Sequence, residues 1–343
     1  MGDIGKRKSE HLAIVAEGRG AQGRIATGFD GVRFLHNALP ELDHDAIDMR
    51  SHFCGRTLAA PILVSAMTGG PAEAEAINTR IARACQALGL ALSVGSQRIA
   101  LQAGGNGGLG RGLRALAPDV PILGNLGAVQ LAHGLGPDDA LRAVEMIEAD
   151  ALMLHLNPLQ EAIQEGGDRN FSGLLARIEA LARRLPVPLG VKEVGAGLSA
   201  PVARALMDAG VVILDVAGVG GTSWARVEAE RGTPRTRRIA APFHDWGIPT
   251  ADCLRQIAPH LREGCSLIGS GGVRHGLDVA RAIRLGADLA GQAAGALPAA
   301  RDSTEALTEH LSDIMAQLRI AMFCTGSRNL AALRAAPLHP AVD

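Results

Sequence analysis

Short apolar segments alternate with longer amphipathic segments along the chain from residue 61 onward. After the first apolar segment, apolar residues recur at helical spacing up to Gly89, a normal helix stop. The apolar segments have the length of strands and no polar face, which is typical of parallel strands covered by helices on both sides. The predicted strands are residues 61–67, 90–94, 121–125, 151–156, 188–193, 211–216, 266–270 and 288–292.

Eight strands that mostly alternate with helices predict an α/β fold, a (β/α)8 TIM barrel. An open doubly wound sheet is the main alternative. No linker is evident, so we expect one domain over residues 1–343, with an N-terminal extension (1–60), the barrel (61–300) and a C-terminal helix and tail (301–343). The last helix is predicted from Thr304 to Leu330.

Composition excludes several classes of protein. The 34 Lys and Arg balance the 35 Asp and Glu, and only 2% of residues are aromatic, so we expect no nucleic-acid binding. No apolar run is long enough for a membrane span or a signal peptide, and the five cysteines are scattered. We therefore expect a cytoplasmic protein without a membrane partner. The chain has no tyrosine, which excludes chemistry that needs a phenol.

Glycine and polar residues follow the predicted strands, where TIM barrels carry their chemistry. The segment GSGGVRHGLD places Gly271 and Gly272 before a helix that starts near Gly276, which predicts a phosphate cradle of backbone N–H groups. A plain glycine turn is the alternative. The position of this segment on strand seven, beside AGQAAG on strand eight, favours the cradle.

Other strand ends supply charged candidates. Lys192 is suited to stabilise negative charge on a ligand, or else to pair with Asp215 or Glu193. Glu161 is suited to Mg²⁺ beside a phosphate, or else to a solvated helix start. The glycine-rich GVGGTSW loop is suited to hold another polar group of a ligand through Thr222 or its backbone, or else to form a flexible lid. The long segment that follows it up to residue 250 is interpreted as a functional lid.

Several longer motifs carry a family resemblance. They are RKSEH (7–11), MTGG (67–70), GSQR (95–98), HLNPLQE (155–161), VKEVG (191–195), AGVGGTSWARVE (217–228), DWGIPT (245–250) and GSGGVRHGLD (269–278). In this order they resemble the type 2 isopentenyl-diphosphate Δ-isomerase family of FMN-dependent barrels. The resemblance implies interconversion of isopentenyl and dimethylallyl diphosphate, with reduced FMN, Mg²⁺, NADPH as the reductant, and a tetramer or octamer of identical chains.

The resemblance also implies roles for individual residues. FMN would be bound by Ala66, Met67, Thr68, Ser96, Asn125, Lys192 and Thr222, and its phosphate by Gly271, Gly272, Val273, Arg274, Ala293 and Ala294. The diphosphate substrate would be bound by Arg7, Lys8, Ser96, Gln97, Arg98, His155, Asn157 and Gln160. Glu161 would bind Mg²⁺. The catalytic set would be His155, Gln160, Glu161 and Glu228, with reduced flavin as the favoured proton carrier and Trp224 or Trp246 as a shield for positive charge.

Two other functions compete with this interpretation. An FMN-dependent 2-hydroxy acid oxidase or dehydrogenase would use a base near the flavin, for which His244 and Asp245 are candidates, but it leaves HLNPLQE unexplained. A non-catalytic sensor of a phosphate ligand is the alternative that is not an enzyme.

Overall fold

Eight parallel strands close into a barrel, which confirms the predicted TIM fold. The computed structural model describes residues 3–21, 25–67, 72–102 and 109–339. In chain order, a hairpin of β1 (Ser51–Phe53) and β2 (Arg56–Leu58) precedes the barrel. The barrel strands are β3 (Ile62–Val64), β4 (Ala91–Ser93), β5 (Ile122–Gly127), β6 (Ala151–His155), β7 (Leu189–Lys192), β8 (Ile213–Asp215), β9 (Ser266–Ser270) and β10 (Leu289–Gln292). β10 pairs with β3 and closes the ring.

Alternation along each strand divides the core into two layers. Leu63 packs inside the barrel with Leu123 and Ile268, whereas its neighbours Ile62 and Val64 join the layer between strands and helices. Strands that are buried on both faces must be apolar throughout, which explains the continuous apolar segments of the sequence.

Helices surround the barrel and extend beyond it. They are α1 (Asp3–Ala16), α2 (Ala72–Leu88), α3 (Arg98–Gln102), α4 (Arg111–Leu116), α5 (Pro137–Ile147), α6 (Pro158–Ile163), α7 (Leu174–Ala182), α8 (Ala200–Asp208), α9 (Trp224–Arg231), α10 (Pro234–Ala240), α11 (Thr250–Ile257), α12 (Gly276–Arg284), α13 (Leu297–Asp302), α14 (Thr304–Cys324) and α15 (Leu330–Ala335). Within the described ranges, no helix is long and apolar enough to cross a bilayer.

Two local interpretations of the sequence need correction. The predicted final helix is interrupted, because Gly326 takes a φ of +68° and a new helix, α15, starts after the capping residue Asn329. The segment after β8, interpreted as a lid loop, forms α9 and α10. The side chains of Ser223 and Thr233 cap these helices by accepting the N–H groups of Arg226 and Thr236.

The β1–β2 hairpin closes the amino-terminal end of the barrel, where Phe53 and Leu58 join the inner layer of the core. Asp150 connects three segments at this end of the barrel by hydrogen bonds. Its carboxylate accepts Arg56 Nε at 2.9 Å, Arg114 Nη2 at 2.5 Å and the backbone N–H of Ile122 at 2.8 Å. One carboxylate therefore joins the hairpin, α4 and β5.

Replacing Asp150 by alanine is expected to lower the free energy of unfolding by about 2 kcal/mol, because two guanidinium groups and an N–H lose their acceptor. Urea unfolding measures this loss. The matched control is Asp138→Ala, a carboxylate that is 95% exposed and pairs with Arg184 at 3.8 Å. The control should change stability by less than about 0.5 kcal/mol. Equal effects of the two substitutions would show that the Asp150 network adds no stability.

Candidate active site

A cavity of about 750 Å³ lies at the carboxyl ends of the strands. All eight strand ends contribute to its wall, and α1 covers one side through Lys8, His11, Leu12 and Val15. Most residues proposed from the sequence line it together: Lys8, Ala66, Met67, Ser96, Arg98, Asn125, His155, Asn157, Gln160, Glu161, Lys192, Thr222, Gly271, Gly272, Val273, Arg274, Ala293 and Ala294.

Other candidates lie elsewhere. Gln97 was expected to bind the substrate, but its side chain does not line the cavity and is fully buried. Its Nε2 donates to Ala143 O at 2.7 Å, and its Oε1 accepts Asn125 N at 3.0 Å. Its two neighbours, Ser96 and Arg98, line the cavity, whereas the Gln97 side chain is directed towards Ala143 of α5. Thr68 lies outside the described residues, and for Arg7 the structure describes only its place in α1.

The segment after β9 is suited to bind a phosphate. Gly271 and Gly272 have φ of +103° and +73°, and a Cβ on Gly272 would lie 2.4 Å from the carbonyl oxygen of Gly220. This contact requires glycine, because the two glycine-rich loops touch backbone to backbone. Within the described residues, the N–H groups of Gly272 and Val273 have no protein acceptor. The Arg274 N–H donates to Asp278 Oδ2 at 3.1 Å, so Arg274 offers its side chain instead.

Lys192 lies at the end of β7 and lines the same cavity. Its Nζ donates to the carbonyl oxygen of Glu193 at 2.6 Å, and in the sheet it is paired in register with Asp215. Burial lowers the pKa of Lys192, and the charges of Asp215 and Glu193 oppose that shift. Ser270 Oγ donates to Asp215 Oδ1 at 2.5 Å. The strand end therefore presents a buried amine whose charge is supported by nearby carboxylates.

His155 is held beside Asn125, with Nδ1 2.9 Å from the amide Oδ1. Burial lowers the pKa of His155 to about 3, and the charges of Lys192 and Lys8 add to the shift. The ring is therefore neutral at physiological pH, and it contributes hydrogen bonding rather than positive charge.

This shift predicts a pH-dependent loss of stability. Between pH 6.5 and 3 the unfolded chain binds a proton at His155 that the folded protein excludes, so acid favours unfolding. Going from pH 6.5 to 5.0, we expect His155 to account for a loss of about 1.5 kcal/mol. Urea unfolding at both pH values, compared with His155→Gln, isolates this contribution. The same acid sensitivity in both proteins would contradict it.

One carboxylate and one amide side chain that follow β6 are suited to a hard cation. Glu161 Oε1 accepts Asn157 Nδ2 at 2.9 Å, and Oε2 accepts the backbone N–H of Asp168 at 2.7 Å. Asn157 Oδ1 is buried without a donor. A carboxylate beside an unpaired amide oxygen fits Mg²⁺, which uses few protein ligands when phosphate oxygens are present.

Positively charged side chains stand over this wall. Lys8 Nζ donates to the carbonyl oxygen of Ser96 at 3.1 Å, and Arg98 Nη1 lies 3.3 Å from Asp168 Oδ2. The two cations come from α1 and α3, so the N-terminal extension completes the polar wall.

Glu228 lies behind the cavity wall rather than on it, with 2% of its surface exposed. Its Oε1 accepts Gln160 Nε2 at 2.9 Å and lies 2.9 Å from His11 Nε2, and its Oε2 accepts Arg231 Nη1 at 2.9 Å. Burial acts to raise the pKa of Glu228, but these donors outweigh it and lower the pKa. Of the residues in contact with Glu228, Gln160 and His11 line the cavity.

His11 is not among the residues for which the sequence predicted a role. The sequence holds a weak signal for it, because His11 lies three positions after Lys8, which places both on one face of α1. The His11 ring packs edge-on against Trp224, with centroids 5.1 Å apart. Trp224 lines the cavity, whereas Trp246 is 61% exposed and lies outside it.

Comparisons with known proteins identify the family. Residues 125–340 match the FMN-dependent dehydrogenase family. The chain is 59% identical to the isopentenyl-diphosphate delta-isomerase of Xanthobacter autotrophicus, over 97% of each chain. It is 56% identical to the one of Stutzerimonas stutzeri, over 97% of this chain and 96% of that protein. The chain belongs to the isopentenyl-diphosphate delta-isomerase family.

Solved structures relate this isomerase family to other flavin barrels by fold alone. A mandelate oxidase variant bound to 4-Br-2-hydroxy-methylphenylacetate superposes with a TM-score of 0.68 at 18% identity, covering 99% of this chain and all of the other. A lactate oxidase from Pediococcus acidilactici gives 0.66 at 15% identity, covering 97% and 94%. The oxidase alternative finds little support in the site of the isomerase-family chain, because the chain has no tyrosine and His244 lies outside the cavity.

Proposed function

We propose that the protein interconverts isopentenyl diphosphate and dimethylallyl diphosphate, with reduced FMN and Mg²⁺ bound in the barrel cavity. The observation that carries this proposal is the pairing of two anion sites in one cavity. A backbone cradle lies at the ends of β9 and β10, and a cluster of cationic and hard-oxygen groups lies at β4 to β6, across the ring. One site fits the flavin phosphate, and the other fits a diphosphate.

The residues around the proposed flavin site fit that cofactor. The free N–H groups after β9 and the side chain of Arg274 would hold the phosphate, and Lys192 would support negative charge on the ring. When bound and reduced, FMN supplies an electron-rich ring that can exchange a proton with the substrate. Asn125 and Thr222 line the same cavity and would orient the ring.

The isomerisation adds a proton to one carbon and removes one from another, so no net redox change occurs. Gln160 would position the substrate, because its amide is fixed by Glu228 on one side and by Asn157 Nδ2 at 3.1 Å on the other. The face of Trp224 would stabilise positive charge on the alkene carbons. The absence of tyrosine removes one competing acid and nucleophile.

Charge neutralisation at the diphosphate would follow from three groups. Glu161, with the unpaired amide oxygen of Asn157, would hold Mg²⁺ against the phosphate oxygens. Lys8 and Arg98 would supply the remaining positive charge. Both cations already contact protein acceptors, so their side chains are held at the cavity before a substrate binds.

An anaerobic assay tests the proposal. The purified protein is incubated with FMN, NADPH or dithionite, Mg²⁺ and isopentenyl diphosphate, and the products are analysed. Dimethylallyl diphosphate should form only when the flavin is reduced. No product under reduction would overturn the proposal, turnover of lactate instead would support an oxidase, and ligand binding without any turnover would support a sensor.

We also propose a single domain, a cytoplasmic location, NADPH as the reductant and a homo-oligomer of four or eight chains. All five cysteines are unpaired, which fits a reducing compartment. Light scattering coupled to size exclusion measures the number of chains, and anaerobic flavin bleaching by NADPH tests the reductant.

A further inference from the structure

A buried amide holds the segment Gly271–Arg274 from below. Gln292, at the end of β10, is 2% exposed. Its Nε2 donates to the carbonyl oxygens of Val273 at 3.1 Å and Arg274 at 3.2 Å. These two carbonyls belong to the residues whose other groups face the cavity. One side chain therefore fixes two consecutive peptide planes of the proposed cradle.

A histidine outside the cavity determines which way this amide points. His310 Nε2, on α14, lies 2.7 Å from Gln292 Oε1. Because Gln292 Nε2 donates to two carbonyls, its Oε1 must face His310 and accept, so His310 carries a proton on Nε2. Without that donor, the amide would lose the contact that fixes its orientation.

The loop after β10, which also lines the cavity, packs on the Gln292 amide. A Cβ on Gly295 would lie 2.8 Å from Gln292 Nε2, so the loop after β10 closes over this side chain. Thr250 Oγ1 donates to the carbonyl oxygen of Gly271 at 2.7 Å and fixes the start of the segment. Gln292 thus connects the loops after β9 and β10, which both line the cavity.

We propose that Gln292 is a positioning residue for the phosphate of the flavin and that His310 orients it. The pair holds Val273 and Arg274 so that this segment presents its free N–H groups and the Arg274 side chain to the phosphate. This inference rests on the proposed function, and it concerns only the phosphate end of the flavin. It therefore predicts a defect that depends on the phosphate group.

Flavin binding tests the proposal without any measurement of turnover. The dissociation constants of FMN and of riboflavin, which lacks the phosphate, are measured by flavin fluorescence on the flavin-free full-length protein. In Gln292→Glu, a carboxylate oxygen faces two carbonyl oxygens, and FMN affinity should fall by about 30-fold or more. In His310→Phe, it should fall by about tenfold. Riboflavin affinity should stay within about twofold in both variants.

Conservative rescue and a matched control complete the test. His310→Gln keeps an N–H donor and should recover most of the FMN affinity. Gln317→Glu is the matched control, because it replaces an exposed amide by a carboxylate on α14, the helix that carries His310. The Gln317 oxygen accepts Gly276 N at 2.7 Å, and a carboxylate can still accept it, so FMN affinity should stay unchanged. If Gln292→Glu does not fold, the test rests on His310→Phe, because His310 lies on the outer helix α14 and its replacement disturbs the barrel less.

The outcomes separate this inference from the proposed function. Equal losses for FMN and riboflavin, or no loss for either, would overturn the positioning role. A wild-type protein that does not prefer FMN over riboflavin would overturn the proposed phosphate site itself.

Discussion

Replacing Glu228 by glutamine is expected to lower kcat for isomerisation by about 10²- to 10³-fold, with a much smaller change in KM. The carboxylate accepts hydrogen bonds from Gln160, His11 and Arg231 at once. A glutamine of the same shape has only one oxygen, so its amide nitrogen must face either Arg231 or the Gln160–His11 pair. Either orientation places donor against donor, and Gln160 loses its fixed position in the cavity.

The matched control is Glu230→Gln on the same helix. Glu230 is exposed and lies 3.4 Å from Arg19, and it does not line the cavity. The control should retain wild-type kcat, and both variants should retain wild-type FMN affinity. Full activity of Glu228→Gln would remove this residue from the mechanism, and a rise in KM alone would reduce it to a role in substrate binding.

The barrel could be predicted from the sequence because its strands are buried on both faces. This burial leaves a signal that needs no knowledge of distant contacts, as in Ile62–Val64, where every residue is buried. The strand ends were predicted less closely: the first strand was expected to reach residue 67 and ends at Val64, whereas the seventh ends at Ser270 as expected. The fold and the position of the site therefore followed from local patterns.

Side-chain direction at a strand end was harder to predict. Ser96 and Arg98 line the cavity, and Gln97 between them is turned away and binds Ala143 O. Strand alternation could not have excluded Gln97 from the substrate site, because the residue lies in the turn between β4 and α3. The family resemblance assigned Ser96, Gln97 and Arg98 together to the substrate, because a motif match does not show the direction of each side chain.

Contacts between distant segments could not be predicted at all. His11 meets Trp224 and Glu228 because α1 packs across α9, more than two hundred residues away. No periodicity within either helix indicates that pairing. The same holds for Gln292 and His310, whose roles appear only when α14 is placed against the barrel.

Replacing Glu193 by alanine is expected to lower the free energy of unfolding by about 3 kcal/mol. Glu193 Oε2 accepts four consecutive backbone N–H groups, those of residues 194 to 197, at 2.6, 2.7, 2.5 and 3.3 Å. Truncation leaves most of these partly buried donors without an acceptor. The loop they belong to carries Val194 and Gly195 into the cavity wall, so KM should rise as well.

Two further variants separate the acceptor from the bulk of the side chain. Glu193→Gln keeps one oxygen in the ring of N–H groups, and it should cost about 1 kcal/mol because a neutral acceptor binds them more weakly. Glu179→Ala removes an exposed helical carboxylate that pairs with Arg183, and it should change stability by less than about 0.5 kcal/mol. Urea unfolding of Glu193→Ala, Glu193→Gln and Glu179→Ala measures the free energy of unfolding of each variant and so ranks their stabilities. If Gln and Ala at position 193 were equally destabilising, the charge rather than the acceptor would hold the loop, because the two variants share only the loss of charge.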